Sequence, residues 1–314
     1  MKKKKMSLTQ FFAIYIAILA LILLGVSACT GTNGAGNTKV LESAAPVATD
    51  ESSATETPEA SLSTNNPAGN STTNEPTQVQ TPAPGTSGAT GAVTNPTANG
   101  SLSGLKVTID PGHQANPPSG KETVAPWSNE TKAKNTSGTT GVATGTEEYK
   151  VNLQIGLKLR DALAAEGATV VMTRDNNDTS LSNQDRANIS NDNNVDVIIS
   201  IHCNGSNNSS IAGTEVYSRG SGDGSSEYAI RSAKEAKLAE KLIEAITASI
   251  GSKNRDARLS DNYTGINFAK APCFIVECGY LSNPEEDQKL CDSSYQDKIV
   301  TGIKNFLIEN KDAF

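Results

Sequence analysis

Short apolar runs separated by helical patterns constrain this chain more than any other feature. VDVIISI (Val195–Ile201) and PCFIVEC (Pro272–Cys278) are too short for helices and rich in β-branched residues. Such runs suit strands buried on both faces of a sheet. LKVTID (Leu105–Asp110), ATVVMTR (Ala168–Arg174) and GTEVYS (Gly213–Ser218) read as further strands. Between them lie stretches of helical spacing. EYKVNLQIGLKLRDALAAEG brings Leu153, Leu157 and Leu163 near one face and stops at Gly167. SNQDRANISND opens on an N-cap serine, Ser182. Amphipathic helices follow over Ser226–Ile250 and from Ser293 to about Asn310. Strands alternating with helices predict an α/β fold: one domain with a mixed, mostly parallel central sheet flanked by helices. In such sheets ligands gather beyond the carboxyl ends of the strands.

That domain occupies residues 101–314. Residues 30–100 are dominated by Ser, Thr, Ala, Asn, Pro and Gly, with no basic residue between Lys39 and Lys106. They have too little apolar surface to offset the entropy of ordering, and read as a disordered tether with a reach of roughly 45–50 Å. Residues 1–29 begin MKKKK, continue through FFAIYIAILALILLG and end VSAC, the pattern of a lipoprotein signal peptide with Cys29 as the lipidated residue. The expected location is extracytoplasmic, at the membrane through a lipid on Cys29. A net charge of −7 argues against nucleic acid as the partner.

If Cys29 carries the lipid, Cys203, Cys273, Cys278 and Cys291 remain, with no C-x-x-C pair. Cys273 and Cys278 share one strand and stand about 16 Å apart when extended, too far for a disulfide. The sequence chooses no other pairing.

The chain has two histidines, and both follow strands: His113 in TIDPGHQ and His202 in VIISIHCNG. A metal-dependent hydrolase uses about three His, Asp or Glu ligands, so a third ligand and a general base are sought among the carboxylates. Glu147 and Glu148 open a helix, where its dipole alone would favour an acid. Glu277 lies inside an apolar strand, where a carboxylate is costly unless paired or put to use. On the residues alone, the reading stops at an extracytoplasmic metallohydrolase.

Five segments in order, VTIDPGHQ, EYKVNLQIGLKLRDAL, TVVMTRDNNDTSLSNQDRANISN, VIISIHCNG and PCFIVECGYLSNPEE, resemble the motifs of zinc-dependent N-acetylmuramoyl-L-alanine amidases. The resemblance covers residues 101–314 and none of the tether. It implies Zn²⁺ held by His113, Glu148 and His202, with Glu147 as the fallback for Glu148, and Glu277 as the catalytic carboxylate. It implies peptidoglycan as substrate, and singles out Arg174 and Arg186 as ion-pair or positioning groups. An activator protein, if there is one, is not identified by the sequence. Two departures stand out: the long stretch Gln114–Glu147, which contains the only tryptophan, Trp127, and reads as a lid or binding loop; and Cys203 beside His202, which alternation turns to the opposite face.

Overall fold

The computed structural model describes residues 92–94 and 99–314. The signal-type segment with Cys29, and the tether apart from residues 92–94, 99 and 100, lie outside the described residues.

The elements run β1 (Ala92–Val93), β2 (Lys106–Pro111), β3 (Lys121–Thr123), β4 (Thr131–Ala133), α1 (Glu148–Ala165), β5 (Thr169–Met172) and α2 (Asn183–Asp192). Then come β6 (Val197–Asn204), β7 (Thr214–Arg219), α3 (Ser226–Ile250), β8 (Asn254–Ser260), α4 (Thr264–Phe268), β9 (Cys273–Tyr280), α5 (Pro284–Leu290) and α6 (Ser293–Glu309). Seven strands form one sheet in the order β1-β5-β2-β6-β9-β7-β8. Its centre, β5-β2-β6-β9, is parallel. Strand β7 runs antiparallel to β9 and parallel to β8, and β1 is antiparallel to β5. The sheet is thus mixed and mostly parallel, as its apolar runs predict. Its first strand, β1, falls inside the stretch read as tether.

Burial explains why the central strands need no polar face. Every residue of β9 is buried, and five residues in succession are buried in β6. Neighbours along β6 enter different cores. Ile199 joins the larger one, with Leu159 of α1, Leu242 of α3 and Phe306 of α6. Ile198 joins the smaller one, with Ile189 of α2 and Ile266 of α4. Each fully buried Ile or Leu contributes roughly 1.5–3 kcal/mol. The two cores hold the sheet from both sides and leave the carboxyl ends of β2, β6 and β9 together.

Four expected strands and four expected helices are present, with their ends adjusted by one or two residues in most cases. Helix α2 starts at the expected Ser182 cap, whose side chain accepts from the Asp185 amide while Asp185 caps in return. The fifth expected strand, GTEVYS, is β7. No apolar pattern marks β3, β4, β8, α4 or α5. Strand β8 reads NRDARLS, and its mostly exposed edge position needs no apolar pattern.

Candidate metal centre

His113 stands two residues beyond β2 with φ 59, a left-handed backbone that non-glycine residues rarely adopt. The carbonyls around it are tied down by two buried guanidiniums. Arg174 donates to the Pro111 carbonyl at 2.8 Å and the Gly112 carbonyl at 2.9 Å. Arg186 donates to the Pro111 and His113 carbonyls, both at 2.8 Å, and pairs with Asp110 at 2.6 Å. The two arginines are positioning groups: they fix the main chain that carries the histidine.

Glu148 is the first residue of α1 and is 4 % exposed. Its Oε1 lies 3.4 Å from His113 Nε2 and 3.2 Å from His202 Nδ1. The same oxygen accepts from Asn152, one turn along the helix, at 3.1 Å, and from the Cys203 amide at 3.1 Å. Oε2 accepts from the Thr139 amide at 3.0 Å. Burial alone would raise this carboxyl, but His113 and then His202 outweigh it and hold it down at about 2. Glu147 instead pairs with Lys150 at 2.8 Å on the surface. Of the two adjacent glutamates, Glu148 is the one that faces the histidines.

His202 lies in β6, and its ring stands edge-on to His113 with centroids 4.8 Å apart. Gly112 allows this approach, since a Cβ there would run into the His202 ring. Candidate ligand atoms of His113, Glu148 and His202 all lie within 4.8 Å of one another. The donor set fits a metal ion on a further ground. His113 Nδ1 is 3.0 Å from the Thr136 carbonyl, which can only accept, so this nitrogen carries the proton in that bond. Its Nε2 then presents a lone pair to a carboxylate oxygen, an arrangement that calls for a cation between them.

Glu277 of β9 pairs in register with His202 of β6 on one side and Glu215 of β7 on the other. It is 9 % exposed, and its Oε2 is among the buried side-chain atoms without a hydrogen-bond partner. Burial, then the nearby charges of Glu148 and Glu215, push its carboxyl up to about 8, against the pull of His202. Glu215 is held by Arg255 and Arg258, at 3.1 and 3.2 Å, and by the Tyr217 hydroxyl at 2.9 Å.

The stretch Gln114–Glu147 is fastened at many points rather than free as a lid. Strands β3 and β4 pair within it. Glu122 accepts from the first amides of α2, Asn183 and Gln184, at 3.1 and 3.2 Å. Buried Asp287 holds its far end through the Ala143 and Thr144 amides at 2.7 and 2.8 Å. Trp127 stacks edge-on against Tyr228 of α3 at 4.9 Å, which pins the stretch to the body of the domain. Thr136 and Thr139, which hold two of the candidate ligands, belong to it. Cys203 and Cys278 lie with the larger core, away from the face of His202 and Glu277, and the four cysteines of the domain are free.

Sequence reasoning missed Thr136, Thr139, Asn152 and Glu215. The first two act through backbone atoms or a hydroxyl and leave no signal. Glu215 carries the signal that singled out Glu277, a carboxylate inside a strand.

The chain is also similar to known proteins. A family model described as N-acetylmuramoyl-L-alanine amidase matches residues 107–309. The chain belongs to this family. It is 30 % identical over 162 residues to N-acetylmuramoyl-L-alanine amidase LytC of Bacillus subtilis, a match spanning 52 % of this chain but only 31 % of that protein. Among solved structures, the N-acetylmuramyl-L-alanine amidase Ami1 of Mycobacterium smegmatis superposes with TM-score 0.58 at 26 % identity, covering 66 % of this chain and 98 % of its own. An N-acetylmuramoyl-L-alanine amidase of Clostridium difficile 630 gives TM-score 0.54 at 27 % identity, covering 66 % and 97 %.

Proposed function

We propose that this protein is a zinc-dependent N-acetylmuramoyl-L-alanine amidase, which hydrolyses the amide between the lactyl group of N-acetylmuramic acid and the L-alanine of the stem peptide. One observation carries the reading: Glu277, with an unpartnered carboxylate oxygen, stands in register beside His202 at the edge of the His113–Glu148–His202 cluster. Two imidazoles and a carboxylate form a donor set that suits zinc in hydrolases. When bound, the ion supplies Lewis acidity, which lowers the pKa of a water and offsets charge developing on the carbonyl oxygen.

The chain's own groups supply the rest. Thr136 fixes the orientation of the His113 ring, and Asn152, Thr139 and the Cys203 amide fix both oxygens of Glu148. Glu277 accepts a proton from the attacking water and returns it to the departing amine of L-alanine. Burial raises the Glu277 carboxyl above the ordinary glutamate range, which makes it a stronger base for taking and returning a proton. Cell-wall material lies beyond the membrane, which agrees with a signal peptide over residues 1–29, a lipid on Cys29 and a tether from residue 30 towards β1 that lets the domain search above the membrane.

Mass spectrometry of purified peptidoglycan digested with the protein tests this. Free stem peptides beginning with L-alanine are expected, lost with a chelator and restored by zinc. Glu277→Gln is expected to keep its zinc and lose at least about a hundredfold in turnover. Shortened peptides or released D-amino acids would indicate a stem peptidase instead. Absence of any product from zinc-loaded, folded protein would point to a wall-binding protein.

A further inference from the structure

Cys203 and Cys278 stand immediately after His202 and Glu277, which are partners across the parallel pair β6–β9. The register slips just past them. Asn204 pairs with Tyr280, so Cys203 of β6 lies opposite two residues of β9, Cys278 and Gly279. Alternation turns both cysteines away from the candidate ligands, and both lie in the larger core at no more than 1 % exposure. Neighbouring strands run about 4.8 Å apart, inside the Cα separation of roughly 4.4–6.8 Å that a disulfide needs. Flat parallel strands would hold the Cβ atoms slightly too far apart, but the extra residue in β9 adds local twist. The two thiols lie against each other, close enough for a hydrogen bond between them.

The other two cysteines of the domain are placed differently. Cys273 belongs to the smaller core, across the sheet. The sulfur of Cys291 sits 3.6 Å from the Thr144 hydroxyl and 3.8 Å from Asp287. Peptidoglycan, the substrate of the family to which the chain belongs, lies outside the cytoplasm, where disulfides form and persist.

We infer that Cys203 and Cys278 join as a disulfide behind the candidate metal centre, stapling the strand that carries His202 to the strand that carries Glu277. The oxidant is an external disulfide of the glutathione class. One cysteine, as thiolate, attacks a sulfur of that disulfide and expels one thiolate. The second cysteine attacks the mixed disulfide at the protein sulfur and expels the other. Two electrons pass to the external disulfide, which leaves as two thiols carrying the protons of the cysteines. Both sulfurs are buried in the folded domain, so the exchange takes place while the chain folds, before the core closes. The staple also steadies Glu148, whose Oε1 accepts from the Cys203 amide at 3.1 Å.

Refolding tests this. The full chain, unfolded and reduced, is returned to native conditions in glutathione buffers of rising oxidised fraction, trapped by alkylation in denaturant, and digested for mass spectrometry. A peptide linked through Cys203 and Cys278 is expected, with Cys273 and Cys291 alkylated. The oxidised protein is expected to melt roughly 5–15 °C above the same protein kept with a phosphine reductant. Cys203→Ala and Cys278→Ala each lose packing whatever the redox state, so the readout is the difference between oxidising and reducing conditions. That difference is expected to vanish in either variant and to survive in Cys273→Ala. Free thiols at both positions in every buffer, linkage of either to another cysteine, or a redox difference that persists in Cys278→Ala would overturn the bridge. A linked peptide with no rise in melting temperature would overturn its role as a staple.

Discussion

Asp110 holds the first histidine without touching it. Its carboxylate pairs with Arg186, which in turn binds the carbonyls of Pro111 and His113, and it accepts from Thr173 and Ser200 at 2.6 and 2.7 Å. Burial opposes ionisation here, but Arg186 and those hydrogen bonds prevail and lower the carboxyl from 3.8 to about 2. A depressed acid stabilises the fold above its unfolded value and stops doing so as pH falls through its folded value, so this contribution fades between about pH 4 and pH 2. At neutral pH it amounts to about 2 kcal/mol, and removing the charge also strands the Arg186 guanidinium. Asp110→Asn is therefore expected to lose at least about 2 kcal/mol in urea unfolding at pH 7, with the gap narrowing as the pH falls below 4. A gap of constant size would show that packing, not charge, is at stake. At this scale the sequence was readable where chemistry is rare. Two histidines at strand ends and a glutamate in an apolar strand stand out, whereas Asn152 and Thr139 look like any polar residue until the fold brings them to Glu148.

Among the elements, the crossing of α3 and α6 shows how tightly the larger core is closed. Gly302 of α6 faces the backbone of α3, and a Cβ there would lie 2.7 Å from Ile246 Cα and 2.9 Å from the Ala245 carbonyl oxygen. Alanine is the better helix former by about 1 kcal/mol, but overpacking against backbone costs roughly 1–3 kcal/mol. Gly302→Ala is expected to destabilise by about 1 kcal/mol net, seen as a lower urea midpoint with unchanged slope; a stabilised variant would mean the helices separate at little cost. Periodicity located both helices, because each has one apolar stripe. It was silent on β8, whose residues face solvent or the site, and on the β3–β4 hairpin, whose three-residue strands are too short to carry a period. The stretch that reads as a lid is fixed by contacts far away in sequence, such as Glu122 with α2 and Asp287 with Thr144, and no local pattern can announce those.

At the scale of the whole domain, the larger core alone joins buried apolar side chains of β2, β6, β9, α1, α3 and α6. Unlike small domains that fold only around their ion, this one is expected to melt cooperatively after chelation. Zinc at a hundred times its dissociation constant adds about 2.7 kcal/mol, or roughly 5–10 °C for a domain of this size. Calorimetry with and without chelator measures the difference, and a broad, non-cooperative transition in the chelated protein would refute it. The order of strands and helices was legible because buried parallel strands must be apolar throughout; the antiparallel placement of β7 was not, since alternation does not reveal direction. The unusual backbone of His113 is held by Arg174 and Arg186 rather than by the ion it would bind. On the proposed reading, a metal ion would meet a ligand whose main chain is already set by two arginines. If the site binds zinc as proposed, cutting would follow the free zinc concentration reversibly.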